Sequence, residues 1–264
     1  MATNSIWAPW NPPCAERGID IGLGRFADAI KDPFASESTM NGTWTPVRGV
    51  YAITPDELRT ASLAAKVGEA LEGGVRLVQY RNKLASKSLA REQALVLRSV
   101  TARAGAQLII NDDVELALAV SADGVHLGRD DGWIDGTLVD FKSLRRRASQ
   151  TSRMNGPFLI GVSCYNEMGA AKAAAMAGAD YIAFGSVFPS PTKPRAARAE
   201  LSLIGRAKQE FSLPVVAIGG VTVENTPQLI AEGVDAVAVI SSLFDADDIR
   251  ARAQLFSSLF ADNV

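Results

Sequence analysis

The sequence predicts an α/β fold, a (β/α)8 TIM barrel that follows an N-terminal extension, and three observations support this fold class. From Gly49 onward, eight short apolar segments alternate with helical patterns. Variants of one short sequence precede four of these segments, which indicates a repeated structural unit. The chain has 264 residues, slightly more than the about 250 that are typical of one such barrel.

The first 48 residues differ from the rest of the chain, and we predict that they form an extension of unknown role. They contain three of the four tryptophans and five of the twelve prolines. Only residues 25–31 have a helical pattern, and no apolar strand is evident. Because an exposed tryptophan is costly, we expect these aromatic side chains to pack on the main body. Residues 49–264 are predicted to form the catalytic barrel domain.

The predicted strands are apolar on both faces, which is typical of a parallel sheet covered by helices. They span residues 49–54, 76–80, 107–111, 124–127, 158–163, 181–185, 215–218 and 236–240. Helical patterns lie between them at residues 56–71, 89–103, 167–177, 201–211 and 225–232. An open doubly wound sheet is the alternative, but no G-x-G-x-x-G follows the first strand. The sequence therefore favours the barrel.

The internal repeat places an aspartate directly before an apolar strand. Three clear copies begin at Ser121, Gly178 and Gly233, and a looser copy begins at Gly73. These copies precede the second, fourth, sixth and eighth predicted strands. A closed, symmetric barrel is expected to show such a repeated pair of strand-helix units.

Composition excludes several functional classes. The 27 basic residues nearly balance the 29 acidic ones, so no global charge attracts nucleic acid or an anionic membrane. One histidine and two distant cysteines make a zinc cluster or a disulfide framework improbable. Neither a secretory signal nor a run of about 18 apolar residues is evident. We expect a cytoplasmic protein that acts on small molecules, and the sequence leaves a homo-oligomer open.

Polar side chains follow most of the predicted strands, at the barrel end where functional sites lie. They are Gln79, Arg81 and Lys83 after the second strand, Asn111 and Asp112 after the third, Asp131 after the fourth, Ser163 at the fifth, and Ser190, Thr192 and Lys193 after the sixth. This distribution predicts one site that many strands build together.

The carboxylates after the third and fourth strands are candidate metal ligands. Asp112 and Asp131 follow neighbouring strands, and Mg²⁺ is usually bound by one or two carboxylates together with phosphate oxygens. An alternative is that Asp112 and Asp113 cap the helix that begins near Val114. Both roles are compatible if each aspartate takes one. For Asp131 the alternative is an ordinary solvated loop charge.

Glycines and serines follow the last two predicted strands. Gly219 and Gly220 come after the seventh strand, and Ile240, Ser241 and Ser242 end the eighth. In barrels of this type, backbone N–H groups at this place bind phosphate. A tight turn between strand and helix would also use both glycines, so the serines strengthen the interpretation.

Three cations, Arg81, Lys83 and Lys193, belong to the same predicted rim. Any one of them alone is more simply an ordinary surface cation. Together, beside two predicted phosphate sites, they suit a substrate that carries several phosphate charges.

The histidine and the second cysteine are better explained by packing. His126 lies at the centre of a strand, so we expect a buried imidazole that lines the barrel wall, and no G-x-S-x-G elbow supports a Ser-His-Asp relay. Cys164 has no neighbour that would depress its thiol pKa, so we expect a small buried residue.

These segments resemble the thiamine-phosphate synthase family, from about residue 47 to residue 260. The matching motifs are Val78-Gln-Tyr-Arg-Asn-Lys83, Ile109-Ile-Asn-Asp112, Gly124-Val-His-Leu-Gly128, Gly161-Val-Ser163, Phe184-Gly-Ser-Val-Phe-Pro-Ser-Pro-Thr-Lys193 and Ala217-Ile-Gly-Gly220. The resemblance implies a (β/α)8 barrel enzyme that joins a pyrimidine diphosphate to a thiazole phosphate, with Mg²⁺ as cofactor.

The resemblance also implies a role for individual residues. Asp112 and Asp131 would coordinate Mg²⁺. The pyrimidine diphosphate would be bound by Gln79, Arg81, Lys83, Asn111, Ser163 and Lys193, and the thiazole phosphate by Ser190, Pro191, Thr192, Gly220, Ile240 and Ser241. Lys83, Ser163 and Lys193 are the expected catalytic residues.

Three features depart from the family pattern. Arg129 stands where glutamine is common, Ser190 stands where threonine is common, and the N-terminal extension has no counterpart. The first change adds a charge beside the metal loop, whereas the second keeps the hydroxyl. Two other functions stay open: a tautomerase-type relative that isomerises a thiazole phosphate, and a non-catalytic sensor of phosphate ligands. The tautomerase needs a general base near the fifth strand, where Gly161-Val-Ser-Cys164 stands instead.

Overall fold

The computed structural model describes residues 47–128, 133–134, 137–138, 140–150, 156–189 and 198–261. The strands are β1 (Gly49–Ile53), β2 (Leu77–Tyr80), β3 (Gln107–Asn111), β4 (Gly124–Leu127), β5 (Trp133–Ile134), β6 (Thr137–Leu138), β7 (Leu159–Tyr165), β8 (Tyr181–Gly185), β9 (Val215–Ile218) and β10 (Ala236–Val239). The helices are α1 (Thr60–Glu72), α2 (Lys87–Arg103), α3 (Val114–Ala119), α4 (Phe141–Ser149), α5 (Met168–Ala177), α6 (Leu201–Glu210), α7 (Thr226–Ala231), α8 (Ser241–Phe244) and α9 (Ile249–Ala261).

Eight strands close into a barrel in the order β1-β10-β9-β8-β7-β4-β3-β2. Every neighbouring pair is parallel, so all the carboxyl ends of the strands meet at one rim. The predicted fold class, a (β/α)8 barrel, is therefore confirmed. The predicted fifth to eighth strands correspond to β7 to β10. A short antiparallel pair, β5 and β6, follows β4 and was not predicted.

Most element bounds agree with the prediction to within two residues, and the largest difference is at the start of the first helix. The first helical pattern was expected from residue 56, but α1 begins at Thr60. Asp56 and Glu57 instead bind the loop after β2: an Asp56 oxygen accepts the backbone N–H of Lys83 at 2.7 Å, and the carbonyl of Glu57 accepts from Asn82 at 2.6 Å. The fifth predicted strand continues beyond Ser163 to Tyr165, with a shift in its pairing with β8.

The alternation of side chains along the strands creates two separate cores. Inward-facing residues such as Leu77, Ile109 and Leu159 form a cluster inside the barrel. Outward-facing residues such as Val78 and Ile110 pack with the helices in a larger cluster. This is the layered packing expected of such barrels. The same alternation decides whether the polar side chain at the end of a strand points into the barrel or towards the helices.

The aspartates of the internal repeat connect neighbouring strands at the amino-terminal end of the barrel by hydrogen bonds. Each accepts the backbone N–H of the preceding barrel strand and contacts a cation on the helix before that strand. The sets are Asp123 with Leu108 and Arg98, Asp180 with Ile160 and Arg145, and Asp235 with Val215 and Lys208. In the looser copy Arg76 replaces the aspartate and donates to the carbonyls of Leu71 and Val75. The repeat is thus structural.

The predicted N-terminal extension, residues 1–48, lies outside the described residues except for its last two. Val47 is buried and belongs to the cluster inside the barrel. Within the described part of the chain, no helix combines the length and the apolar composition needed to cross a membrane.

Candidate active site

Three of the predicted site residues, together with His126, point into the barrel near its carboxyl-terminal rim. Gln79 and Asn111 come two residues after Leu77 and Ile109, which face the interior. His126 is on β4, and its Nε2 lies 2.8 Å from Oγ of Ser163 on β7. Because β2, β3, β4 and β7 are consecutive around the barrel, one half of the rim carries this polar set.

A continuous chain of hydrogen bonds crosses the interior below this rim. Nε2 of Gln79 donates to Oη of Tyr51 at 2.8 Å, and Oη of Tyr51 lies 2.8 Å from Oη of Tyr181. Oη of Tyr181 lies 3.1 Å from Nδ1 of His126, whose Nε2 reaches Ser163. Two predicted substrate-binding residues, Gln79 and Ser163, are therefore the two ends of this series of hydrogen bonds.

Burial controls the protonation of this chain. Desolvation raises the pKa of Tyr51 and of Tyr181 well above the ordinary phenol value, so both rings stay protonated. Desolvation also lowers the pKa of His126 to about 4, against a smaller opposing effect of the Asp112 carboxylate. The imidazole is therefore neutral near pH 7, and the prediction that His126 is a buried residue lining the wall is confirmed.

Asp112 and Asp113 make different contacts, and the capping role belongs to Asp113. Asp113 is the N-cap of α3 and accepts the backbone N–H of Leu116 at 2.8 Å. Asp112 has a backbone φ of 61°, an unusual value for a residue other than glycine. Its Oδ1 accepts the N–H of Gly128 at 2.9 Å, and its Oδ2 accepts from Asn111 at 2.6 Å. Its carboxylate therefore lies between the ends of β3 and β4.

The loop after β2 is held by two residues that the sequence analysis did not single out. Oγ1 of Thr54 accepts the N–H of Arg81 and donates to the carbonyl of Arg81, both at 2.8 Å. Asp56 accepts the N–H of Lys83 at 2.7 Å and has one oxygen 3.6 Å from the guanidinium of Arg81. The ammonium-bearing side chain of Lys83 is exposed. Thr54 and Asp56 thus fix the backbone from which both cations extend.

The glycine turn after β9 packs tightly against the start of the loop after β8. Gly219 and Gly220 have φ values of 99° and 67°. A Cβ atom on Gly219 would collide with Ser186, and one on Gly220 would collide with the backbone of Phe188 and Pro189. The neighbouring strand β10 leads through Ile240 into the short helix α8, which starts at Ser241. Because of the collisions at Gly219 and Gly220, neither position can carry a side chain in this turn.

Several predicted residues lie outside the described part of the chain. They are Asp131, Ser190, Pro191, Thr192 and Lys193, together with the unusual Arg129. Within the described residues, no group of three or more His, Cys, Asp and Glu side chains gathers as a metal site.

Cys164 faces away from the site, as its position next to Ser163 on a strand requires. It belongs to the outer cluster between strands and helices, and burial raises its thiol pKa to about 12. It is therefore the small buried residue that the sequence predicted.

Tyr51 and Tyr181 are the site residues that sequence reasoning missed. Both stand in apolar strands and look like ordinary core residues. The signal that identifies them is the alternation: Tyr51 and Ile53 share a face of β1, and Tyr181 and Ala183 share a face of β8, inside the barrel.

Comparison with known proteins agrees with this geometry. The family model described as thiamine monophosphate synthase matches residues 50–243. A thiamine-phosphate synthase of Azoarcus sp. is 49% identical over 215 residues, which cover 81% of this chain and 98% of the relative. A thiamine-phosphate synthase of Methylobacillus flagellatus is 47% identical over 215 residues, which cover 81% of this chain and 96% of the relative.

A solved structure gives the same result at the level of the fold. Thiamine phosphate pyrophosphorylase from Pyrococcus furiosus superposes with a TM-score of 0.69 at 32% identity, covering 82% of this chain and 96% of that one. The match to the family model, residues 50–243, includes the strand ends that carry Gln79, Asn111, Asp112 and Ser163. The chain therefore belongs to the thiamine monophosphate synthase family, a family of transferases of thiamine biosynthesis.

Proposed function

We propose that this protein condenses 4-amino-2-methyl-5-(diphosphooxymethyl)pyrimidine with 4-methyl-5-(2-phosphoethyl)thiazole, giving thiamine phosphate and pyrophosphate. One observation carries the proposal: Gln79, Asn111, Asp112 and Ser163 converge on one half of the barrel rim, near the ends of β2, β3 and β7. The family membership supplies the reaction class. The geometry supplies hydrogen-bonding groups for a polar ring and a carboxylate for a metal-bound diphosphate.

The donors that would hold Mg²⁺ have the chemistry that this ion prefers. Asp112 provides carboxylate oxygens, and two neutral donors, the N–H of Gly128 and the amide of Asn111, orient it. Each carboxylate oxygen keeps lone pairs beyond those bonds, so Asp112 can still bind a hard cation. Asp131 would be the second protein ligand. When bound, the ion would neutralise charge on the diphosphate.

The residues of this chain would promote a dissociative substitution. Lys83, Arg81 and Lys193 stabilise the negative charge that grows on the leaving diphosphate as its C–O bond breaks with the electron pair. The electron-rich aminopyrimidine stabilises the methylene cation, and the thiazole nitrogen then forms the new C–N bond. Such a reaction depends on positioning and electrostatics rather than on a protein base. Removal of one charge-stabilising group, as in Lys193→Ala, should cost about 3 kcal/mol in the transition state.

The thiazole phosphate is expected at the other half of the rim. Gly220 follows β9, Ile240 and Ser241 follow the neighbouring β10, and the turn at Gly220 abuts the backbone just before Ser190. Loops after the last two strands and the start of a short extra helix, here α8, are where such barrels bind phosphate. Ser190, Pro191 and Thr192 would complete this subsite.

The alternatives have less support. A tautomerase would need a proton acceptor on the predicted fifth strand, which is β7. There Ser163 accompanies Cys164, whose thiol faces the helices and has a pKa raised to about 12. A non-catalytic sensor would not require the separation of roles between Asp112 and Asp113.

The three functions predict different products. We expect that incubation with both substrates and Mg²⁺ yields thiamine phosphate and pyrophosphate, and that omitting either substrate prevents both. Isomerisation of the thiazole phosphate without the pyrimidine diphosphate would instead identify the tautomerase. Binding without any product would identify the sensor. Cytoplasmic location and a homo-oligomer stay predictions.

A further inference from the structure

We propose that Tyr51, Tyr181 and His126 are positioning residues. They fix the polarity of the buried series of hydrogen bonds from Gln79 to Ser163, that is, which end offers a donor to the ligand and which end offers an acceptor. In this arrangement Gln79 offers an acceptor to the ligand, and Ser163 offers a donor. The identity of the ligand rests on the proposed function. The polarity itself follows from the contacts within the chain.

The direction of the chain is set at Gln79. Its Nε2 is the atom 2.8 Å from Oη of Tyr51, and an amide nitrogen can only donate. Tyr51 must then send its own proton to its other partner, Oη of Tyr181, at 2.8 Å. If Tyr181 donated to Tyr51 instead, the hydroxyl proton of Tyr51 would lack an acceptor in a ring that is 1% exposed. A buried unsatisfied donor is costly, so that direction is disfavoured.

The same logic continues to Ser163. Tyr181 accepts from Tyr51 and therefore donates to Nδ1 of His126, 3.1 Å away. A neutral imidazole has one N–H, which must then be on Nε2 and donate to Oγ of Ser163 at 2.8 Å. The imidazole is buried inside the barrel, where a charged ring would be costly. The hydroxyl proton of Ser163 is left to point away from the imidazole, towards a ligand.

The aromatic rings are held so that these bonds persist. Tyr51 and Tyr181 meet edge to face, with ring centroids 5.9 Å apart and planes at 80°. His126 stacks on Tyr181 with centroids 5.6 Å apart and planes at 26°. Gly161 of β7 lacks a side chain at the place where the Tyr181 ring packs, since a Cβ atom there would collide with the ring. The three rings thus leave little freedom for reorientation.

The resulting polarity suits an aminopyrimidine diphosphate. With Nε2 of Gln79 committed to Tyr51, Oε1 is the atom that accepts, as an exocyclic amino group requires. The hydroxyl of Ser163 donates, as a ring nitrogen or a phosphate oxygen requires. If every hydrogen bond ran in the opposite direction, Gln79 would present a donor to the amino group of the ligand. Ser163 would present an acceptor to the ring nitrogen or the phosphate oxygen. The three positioning residues would therefore act on substrate orientation through Gln79 and Ser163.

The tautomer of His126 tests the proposal directly. His126 is the one histidine of the sequence, so ¹⁵N-labelled histidine gives one imidazole spin system in the full-length protein. We expect a protonated Nε2 and an unprotonated Nδ1 at pH 7. A predominant Nδ1–H tautomer, or an imidazolium, would overturn the proposal. This measurement does not depend on activity, so it stands apart from the proposed function.

Two variants, each without one tyrosine hydroxyl, test which residue sets the tautomer of His126. Tyr181→Phe removes the donor to Nδ1, and we expect the fraction of the Nδ1–H form to rise. Tyr51→Phe leaves that donor in place. Because Nδ1 of His126 is then the partner that remains to accept the Tyr181 proton, we expect the tautomer of the unmodified protein. An unchanged tautomer in Tyr181→Phe would overturn the role of Tyr181. If Tyr181→Phe does not fold, the tautomer of the unmodified protein still decides the polarity.

Steady-state kinetics test whether the polarity matters for the substrate. Tyr181→Phe should lower kcat/KM for the pyrimidine diphosphate roughly tenfold, and by much less in a Ser163→Ala background, because both changes remove the same oriented donor. Equal effects in both backgrounds would overturn the coupling. Absence of turnover in the unmodified protein would instead overturn the proposed function and leave the tautomer result intact.

Discussion

Asp112 and Asp113 are adjacent in sequence but serve different parts of the molecule. Asp113 accepts the backbone N–H of Leu116 and caps α3, whereas Asp112 turns through a φ of 61° and holds its carboxylate between β3 and β4. Unusual backbone conformations of this kind concentrate at functional sites. Asp113 therefore supports α3, whereas Asp112 lies at the rim where we propose that the reaction takes place.

The cap makes a specific prediction about stability. Asp113→Ala removes the acceptor for Leu116, and the loss of an N-cap costs about 1 kcal/mol of the free energy of unfolding. We expect a lower urea midpoint with turnover retained. Asp113→Asn is the matched control, because asparagine is also a good N-cap. A large loss of turnover in a folded Asp113→Ala protein would contradict the division of roles.

The contact between Gly161 and the Tyr181 ring predicts a defect from one added methyl group. Gly161→Ala places a Cβ atom into the ring, so the ring must shift and the bond to His126 must weaken. We expect a loss of roughly 1–3 kcal/mol in the free energy of unfolding, together with lower turnover. Both are measured by urea denaturation and product formation.

Gly68→Ala serves as the control for that substitution. Gly68 lies within α1, and a Cβ atom there meets no other atom within 4 Å. Because alanine is the better helix former, we expect an increase of about 0.5–1 kcal/mol in stability and unchanged turnover. Equal destabilisation by both substitutions would show that packing against Tyr181 is not the cause.

The buried thiol of Cys164 predicts low reactivity and a distinct pH dependence. Burial raises its pKa from 9.0 to about 12. In a Cys14→Ala protein at pH 8, alkylation should be slow until urea unfolds the chain, because the thiolate is the nucleophile. The unfolded thiol ionises at lower pH than the folded one, so the free energy of unfolding should fall as pH rises from 9 towards 12.

Cys164→Ala is the control for the pH profile of the free energy of unfolding. Because it lacks the thiol, its stability should fall less between pH 9 and pH 12. Rapid alkylation of the folded Cys14→Ala protein at pH 8 would contradict the burial of Cys164 and its outward orientation on β7.

The repeated aspartates predict stability effects without effects on chemistry. Asp180 accepts the N–H of Ile160 and pairs with Arg145, both at 2.7 Å, at the barrel end opposite the candidate site. Asp180→Ala should lower the free energy of unfolding by about 2 kcal/mol, since the buried donor of Ile160 loses its partner. The Michaelis constants of the folded protein should not change. Arg145→Ala, which leaves that backbone bond intact, should cost less.

Most of the barrel was predictable because the patterns that predict it are local. Strand bounds such as those of β3, β4, β8 and β9 follow from short apolar runs, and the repeat indicates closure. The convergence of Gln79, Asn111 and Ser163 follows from the shared rim of parallel strands.

The remainder depends on contacts between distant segments. Tyr51 and Tyr181 are 130 residues apart, and their contact exists only because closure brings β1 and β8 to the same interior. The late start of α1 depends on Asp56 and Glu57, which bind the loop after β2 instead of extending the helix. No local pattern in the sequence specifies such partners.

The Mg²⁺ dependence of pyrophosphate release is the most direct test of the central claim, that Asp112 serves a site where the pyrimidine substrate loses its diphosphate. In the unmodified protein, pyrophosphate should appear in equal amount to thiamine phosphate and should stop when the metal is chelated. Asp112→Asn keeps an acceptor for Gly128 but loses the charge, and we expect it to need at least roughly tenfold more Mg²⁺. Pyrophosphate release by Asp112→Asn with an unchanged Mg²⁺ requirement, or none from the unmodified protein with both substrates and Mg²⁺, would contradict the claim.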